Sequence, residues 1–171
     1  MTKFIDCGQL CHTDGRGLEV PLILKIKNGV AVNDYKIDKE LTKDGKFNFP
    51  VEIKEVKGYF DCRSIQLTSL EGCPQKVVGD FSCSYNRLTS LEGCPQKVFG
   101  DFNCQWNKIT TLKGTPKDLG GGNFDCSGND LSSLEGCPKY VGGHFDIRDN
   151  ARKFTEEEVR AVCKVDGRVF V

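Results

Sequence analysis

Apolar residues return along the middle of this chain with two periods at once. They alternate at period two within short stretches, and the stretches recur about every 21 residues. Gly-x-Phe falls at Gly58, Gly79, Gly100, Gly122 and Gly143, in the phrases GYFDC, GDFSC, GDFNC, GNFDC and GHFDI, with steps of 21, 21, 22 and 21 residues. The full unit reads G-x-F-x-C-x-x-N-x-L-T-S-L-E-G-C-P-Q-K-V-x. Its fixed positions are Phe81, Cys83, Asn86, Leu88, Leu91, Gly93, Pro95 and Val98 in the second copy, and Phe102, Cys104, Asn107, Ile109, Leu112, Gly114, Pro116 and Leu119 in the third. A unit this short cannot bury its own apolar face, so successive copies must stack. Phe81 and Cys83 alternate with Ser82 and Ser84, which puts the first two on one face of a short strand. Asn86 follows where the chain leaves that strand, and its amide can satisfy backbone groups there. Leu88 and Leu91 return to the core, and Gly93 with Pro95 marks a turn on the far side. The pattern predicts one short parallel strand per turn of a right-handed coil.

The ends depart from the unit, as the terminal coils of a repeat array must to keep their cores from water. Leu22, Leu24 and Ile26 alternate with Ile23, Lys25 and Lys27, and Asn28-Gly29 then precedes Val30 and Val32. That is the pattern of a hairpin with a type I′ turn. Tyr35 and Ile37 stand in for Phe and Cys in a longer, divergent first coil completed by Leu41, Phe47, Phe49-Pro50 and Val56. Ile65 in place of Asn also suggests a position near a cap. At the other end Phe145, Ile147 and Asn150 begin a fifth strand, but 151–154 lacks Leu-x-x-Leu. Thr155 then caps a helix, Glu158 closes a capping box and Phe154 can staple to Val159. Val159, Val162 and Cys163 give this helix an apolar face, and 165–169 suggests a turn and a final strand. The expected organisation is an N-terminal cap with a divergent first coil (1–57), repeats (58–154) and a helix and strand cap or lid (155–171).

Putting Leu for Phe and Cys turns the unit into L-x-L-x-x-N-x-L-x-x-L, which resembles the leucine-rich repeat. Five copies share the register over 58–154, and NRLTSL at 86–91 is similar to the short bacterial type. The resemblance implies an α/β-type leucine-rich repeat solenoid, curved, with a parallel sheet on its concave side. More narrowly, the LTSLEGCP and GDF-x-C phrases resemble those of small leucine-rich repeat proteins encoded by large tailed bacteriophages.

Composition fits a thin solenoid. The apolar fraction is 38%, and 19 of the 171 residues are Gly, against a usual ~7%. The 24 Lys and Arg balance 24 Asp and Glu, which argues against a dedicated nucleic-acid or membrane-surface binder. No stretch approaches a membrane span, and the start MTKFIDCGQLCH lacks the form of a signal peptide. The expected place is a reducing cytoplasm, in the host cell if the chain is phage-encoded.

Ten Cys are well above ordinary usage. Cys62, Cys83, Cys104 and Cys126 share one repeat position, and Cys73, Cys94 and Cys137 another, with Thr115 in the remaining copy. Metal sites favour close pairs, whereas each repeat spaces its two Cys eleven residues apart. The leading reading is a packed ladder of buried thiols, with structural disulfides or a metal as alternatives. Cys7, Cys11 and His12 form the only compact group of soft ligands, and the candidates for a fourth, His144 and Cys163, lie at the far end. No catalytic constellation stands out among two His, and Gly120-Gly121-Gly122 is followed by no Lys-Ser or Lys-Thr. The reading is non-enzymatic and without a cofactor.

In a solenoid the fixed residues build the scaffold, so partner choice falls to exposed positions that differ between copies. Those positions give the candidate partner-binding set Asp61, Arg63, Asp80, Tyr85, Asp101, Asn103, Gln105, Trp106, Asp125, Asp146 and Arg148. Tyr85 and Trp106, the only Trp, hold the same position in adjacent copies. An aromatic pair among Asp and Arg has the composition of a protein-binding hot spot; the alternative is that both rings shield the strand end. Asp61, Asp80, Asp101, Asp125, Asp146 and Asp149 outnumber Arg63 and Arg148, so the face is acidic although the chain is neutral. The expected partner is a protein with a basic or mixed surface, bound more weakly as salt rises. The leading function is occupation or blocking of a host protein or defence component. A structural component of a virion or its assembly is the alternative, and the oligomeric state is open.

Overall fold

The computed structural model describes residues 3–13, 19–27, 30–31, 35–37, 41–49 and 52–171, with side chains at 30–31, 37, 41–49 and 52–171. The chain is a solenoid of stacked parallel strands. Its main sheet has seven strands, Tyr35–Lys36, Phe60–Asp61, Phe81–Ser82, Phe102–Asn103, Phe124–Asp125, Phe145–Asp146 and Val169–Phe170, each paired with the next. Pairing is in register, Phe on Phe, from Phe60 through Phe145. Tyr35 pairs with Phe60 and Val169 with Phe145, so the divergent ends join the same ladder.

Register follows from the side chains that point inward. Phe60, Phe81, Phe102, Phe124 and Phe145 are fully buried and touch their neighbours at ring-centroid distances of 6.1, 5.0, 5.6 and 4.9 Å. Phe47 and Phe49 close the N-terminal end of the stack, 5.8 and 6.4 Å from Phe60. Slipping one coil by a residue would turn its Phe and Cys outward and break every such contact. Asn86, Asn107, Asn129 and Asn150 secure the next corner. Each donates from Nδ2 to the Cys carbonyl of the preceding coil, and each Oδ1 accepts a backbone N–H there, as Asn107 does from Leu88 at 3.0 Å. The expected role of the amide therefore holds, and it reaches across coils as well as within one.

The expectation of one strand per coil is corrected. A second parallel ladder includes the Lys-Val segments that follow Pro74 and Pro95: Val30–Ala31, Glu55–Val56, Lys76–Val77 and Lys97–Val98 pair in sequence. It resumes with Tyr140–Val141 beside Lys164–Val165. A strand with one inward residue shows no alternation, which is why the pattern reads as a turn. In place of the helix that an α/β solenoid implies, the repeats carry this strand. The α-helix found among the described residues is Glu156–Val162, outside the repeats. The third coil interrupts the second ladder, because its extra Gly bulges the chain after Leu119. One bridge, Asp118 to Tyr140, remains there, while Leu119 stays buried.

Lys3–Thr13 pairs antiparallel with Glu19–Lys27, and Glu19–Lys27 with Val30–Ala31, extending the second ladder at its N-terminal end. The pairing of Lys27 with Val30 leaves a two-residue connection. The turn at Asn28 and Gly29, Val32 and Pro50, and the side chains of Cys7, Cys11 and His12, lie outside the described residues. At the C-terminal end Thr155 accepts from the Glu158 N–H and Glu158 accepts from the Thr155 N–H, completing the expected capping box. Val159 and Cys163 are buried, but Val162 is 40% exposed and does not share their face. Segment 155–171 adds the next rung of both ladders, through Lys164–Val165 and Val169–Phe170.

Candidate functional site

The outer face of the main sheet carries the variable positions, and in each coil one or two of them serve the backbone first. Immediately after each Gly, Asp80 accepts from the Asp101 N–H at 2.9 Å, Asp101 from Asn123 at 2.8 Å and Asn123 from His144 at 2.7 Å. His144 continues the series, its Nδ1 accepting from the Arg168 N–H at 2.9 Å. Two residues further on, Asp61, Asn103, Asp125 and Asp146 each accept from the N–H two positions ahead, at 3.0 to 3.1 Å, the local bond that makes Asx turns. Recurrence of Asp and Asn at these two positions is the sequence signal for this role, which reading them as surface charges alone misses. His144 is thereby a structural acceptor at Nδ1.

These bonds redraw the electrostatics of the candidate set. Asp61 is buried at 8% exposure and pairs with Arg63 at 2.9 Å; both belong to one coil and largely cancel. Arg148 grips its neighbour Asp146 at 3.1, 3.2 and 2.6 Å, and that carboxylate raises the Arg148 pKa. Asp80, Asp101, Asp125 and Asp149 have no ion-pair partner among the described residues. The uncompensated negative charge therefore concentrates on the middle coils. Asp61, Arg63, Asp80, Asp101 and Asn103 line one depression of about 410 Å³, with Tyr59 and Ser82 beside them.

Tyr85 and Trp106 occupy a corner just beyond the strands Phe81–Ser82 and Phe102–Asn103. Their rings stack at 6.3 Å with 19° between planes, and they are 54% and 48% exposed. The equivalent residues Ser64, Tyr85, Trp106, Gly128 and Asp149 all have left-handed backbone, with φ of 61°, 55°, 52°, 63° and 55°. For residues other than Gly this conformation costs about 1–2 kcal/mol. Only the fourth coil uses Gly, and a Cβ on Gly128 would lie 2.7 Å from the Trp106 ring. The indole is thus clasped between the Tyr85 ring and the bare backbone of the next coil. Gln105 lies half-buried next to it in the chain, its backbone carbonyl accepting from the Tyr85 N–H at 3.0 Å. A Gly128→Ala substitution is expected to displace the indole and cost about 1–3 kcal/mol, from crowding and backbone strain together. Tryptophan emission and urea unfolding of the same sample check both effects.

The eight cysteines whose side chains are described are buried, free thiols. Cys62, Cys83, Cys104 and Cys126 are fully buried and free, and Cys62, Cys104 and Cys126 donate to carbonyls of the next coil at 3.1, 3.4 and 3.4 Å. Burial raises the pKa of all four well above the ordinary value, and it pushes Cys94 up to about 12. Thr115 replaces Cys in its copy by turning its hydroxyl onto the Leu112 carbonyl at 2.7 Å. A folded-state pKa above the unfolded one favours the fold while the thiol stays neutral. That contribution is complete below the unfolded value of 9.0 and, for Cys94, is lost as pH rises towards about 12. Urea midpoints measured at rising pH should therefore fall above pH 9.0, and a flat profile would contradict the burial of these thiols.

Among the described residues no group of three or more His, Cys, Asp or Glu is placed to hold a metal ion, and no helix is long and apolar enough to cross a membrane. The stacked aromatic pair and the middle-coil carboxylates are the exposed aromatic and unpaired acidic groups of this face. Compared with family models, curated proteins and solved structures, the chain matches none.

Proposed function

We propose that the chain is a non-enzymatic protein-binding module whose recognition surface is the outer face of the main sheet, centred on Tyr85 and Trp106. The observation that carries this reading is the pairing of exposure with strain. Two large aromatic rings stand half in water on backbone that favours Gly, where the next coil supplies Gly itself. Strain retained at an exposed position supports a role in binding, and Tyr and Trp are the side chains most enriched at binding hot spots. The carboxylates of Asp80, Asp101 and Asp125, which pair with no basic side chain among the described residues, favour a partner with a basic or mixed surface. No partner ring, metal or cofactor is needed for such recognition.

In this reading the scaffold is a leucine-rich repeat of short bacterial type, supported by the asparagine bonds and by the buried Leu-x-x-Leu positions. Its phrases resemble those of phage-encoded repeat proteins, and on that analogy the partner is a host protein or defence component in the cytoplasm that the module occupies and inhibits. The test is affinity capture from a bacterial lysate with the wild-type chain beside a Tyr85→Ala/Trp106→Ala variant. A protein retained by the first and lost from the second is the expected result. Identical captures would reject this face.

A further inference from the structure

The second ladder carries its own unpartnered surface, distinct in chemistry from the first. Val78 and Phe99 occupy the same position in adjacent coils, just past the Lys-Val strands, and are 40% and 59% exposed. The preceding coil has Lys57 at this position, and the following one has Gly120 and Gly121, where a side chain would meet no other atom within 4 Å of its Cβ. Phe99 therefore stands beside a bare shelf at the place where the ladder breaks. The six-stranded run of that ladder also ends at Lys97–Val98, so Phe99 follows an edge strand.

Charge around these side chains is mainly positive. Lys57, Lys97 and Lys117 are exposed and have no ion-pair partner among the described residues. Lys76 pairs with Glu55 at 3.0 Å, and its ammonium also lies 5.8 Å from the Phe99 ring centroid. The exposed acids that follow in the ladder, Asp118 and Asp166, are in part engaged: Asp118 accepts from the Gly120 N–H at 2.7 Å and Asp166 from the Tyr140 hydroxyl at 2.6 Å. The stretch of the second ladder around Phe99 thus carries more basic than acidic side chains, opposite in sign to the main-sheet face.

We propose that this strip is a second docking surface, for an acidic polypeptide segment that carries an apolar side chain. The apolar group lies against Val78 and Phe99 over the glycine shelf, and carboxylates on either side meet Lys57, Lys97 and Lys117. Complementary charge selects the segment and speeds its encounter, while the desolvated ring contact holds it. A polypeptide fits this surface better than nucleic acid. The bases of a single strand would need a series of exposed rings, and Phe99 is the one aromatic ring more than half exposed among the described residues, apart from Tyr85 at the other site.

The test is a selection from a random peptide library on the wild-type chain, on Phe99→Ala, on Lys97→Glu and on Tyr85→Ala/Trp106→Ala, with labelled oligothymidylate as a separate probe. All four substitution sites are exposed, so the fold is retained. Enrichment of acidic sequences bearing an aromatic or large aliphatic residue is expected, with affinity reduced about tenfold or more by either ladder substitution. The aromatic-pair variant should keep these peptides, which separates this surface from the one proposed above. Basic or neutral winners, equal recovery on Phe99→Ala, or oligothymidylate binding that the peptides fail to displace would each overturn the proposal.

Discussion

An Asn107→Ala variant is expected to lose about 3–5 kcal/mol of folding stability, more than most surface or cap substitutions cost. Asn107 is buried at 9% exposure and accepts from Leu88 N–H while donating to the carbonyls of Cys83, Cys104 and Gln105 at 3.1, 3.1 and 3.3 Å. Alanine removes all of these bonds and leaves their backbone partners in a dry corner. Each such group costs about 1–3 kcal/mol when unsatisfied, so the loss is a large part of a total that is usually 5–15 kcal/mol. Asn150 makes the same bonds but is half-buried, in the last coil to carry the amide. Water can reach its partners, and Asn150→Ala should cost about half as much. Urea unfolding of the two variants side by side checks the difference; equal small losses would mean that the amides decorate the corner without securing it.

The second large effect belongs to Phe102→Ala, expected to cost about 3–5 kcal/mol. Phe102 is fully buried between Phe81 and Phe124, with centroids 5.0 and 5.6 Å away. Its removal opens a cavity in the middle of a stack that runs the length of the solenoid. Because each coil supports only its neighbours, a weak central coil should also lower cooperativity. The slope of the unfolding curve is therefore expected to fall together with its midpoint. Phe102→Leu, which keeps most of the volume, should cost about 1–2 kcal/mol and leave the slope unchanged.

The solenoid and its register are legible in the sequence because Phe and Cys alternate within a strand and recur at a constant step. Asn86 and its equivalents are legible for a similar reason, since one amide recurs where the chain must turn. The second ladder is not, because Lys97–Val98 offers one inward side chain and a single residue has no period. The site is legible in composition but not in geometry. Tyr85 and Trp106 stand out as large rings at one repeat position, and the structure stacks them. That the position is left-handed shows in the sequence only through Gly128, whose absent side chain also makes room for the indole. The carboxylates are the least readable part: Asp61 and Asp146 pair with their own Arg, and Asp80 and Asp101 hold backbone groups of the next coil. Which charges remain for a partner depends on hydrogen bonds between coils, and residue type alone does not specify those.

Trp106 is the only Trp in the chain, so its fluorescence reports on the proposed surface without a label. Titration of the chain with the protein captured from lysate, followed at this one emission, tests the central claim most directly. If the partner covers the Tyr85 and Trp106 rings, emission shifts to the blue and becomes protected from iodide as the complex forms, with an affinity that weakens as salt rises. Saturable binding that leaves the emission and its quenching unchanged would contradict the account and place the partner elsewhere on the solenoid.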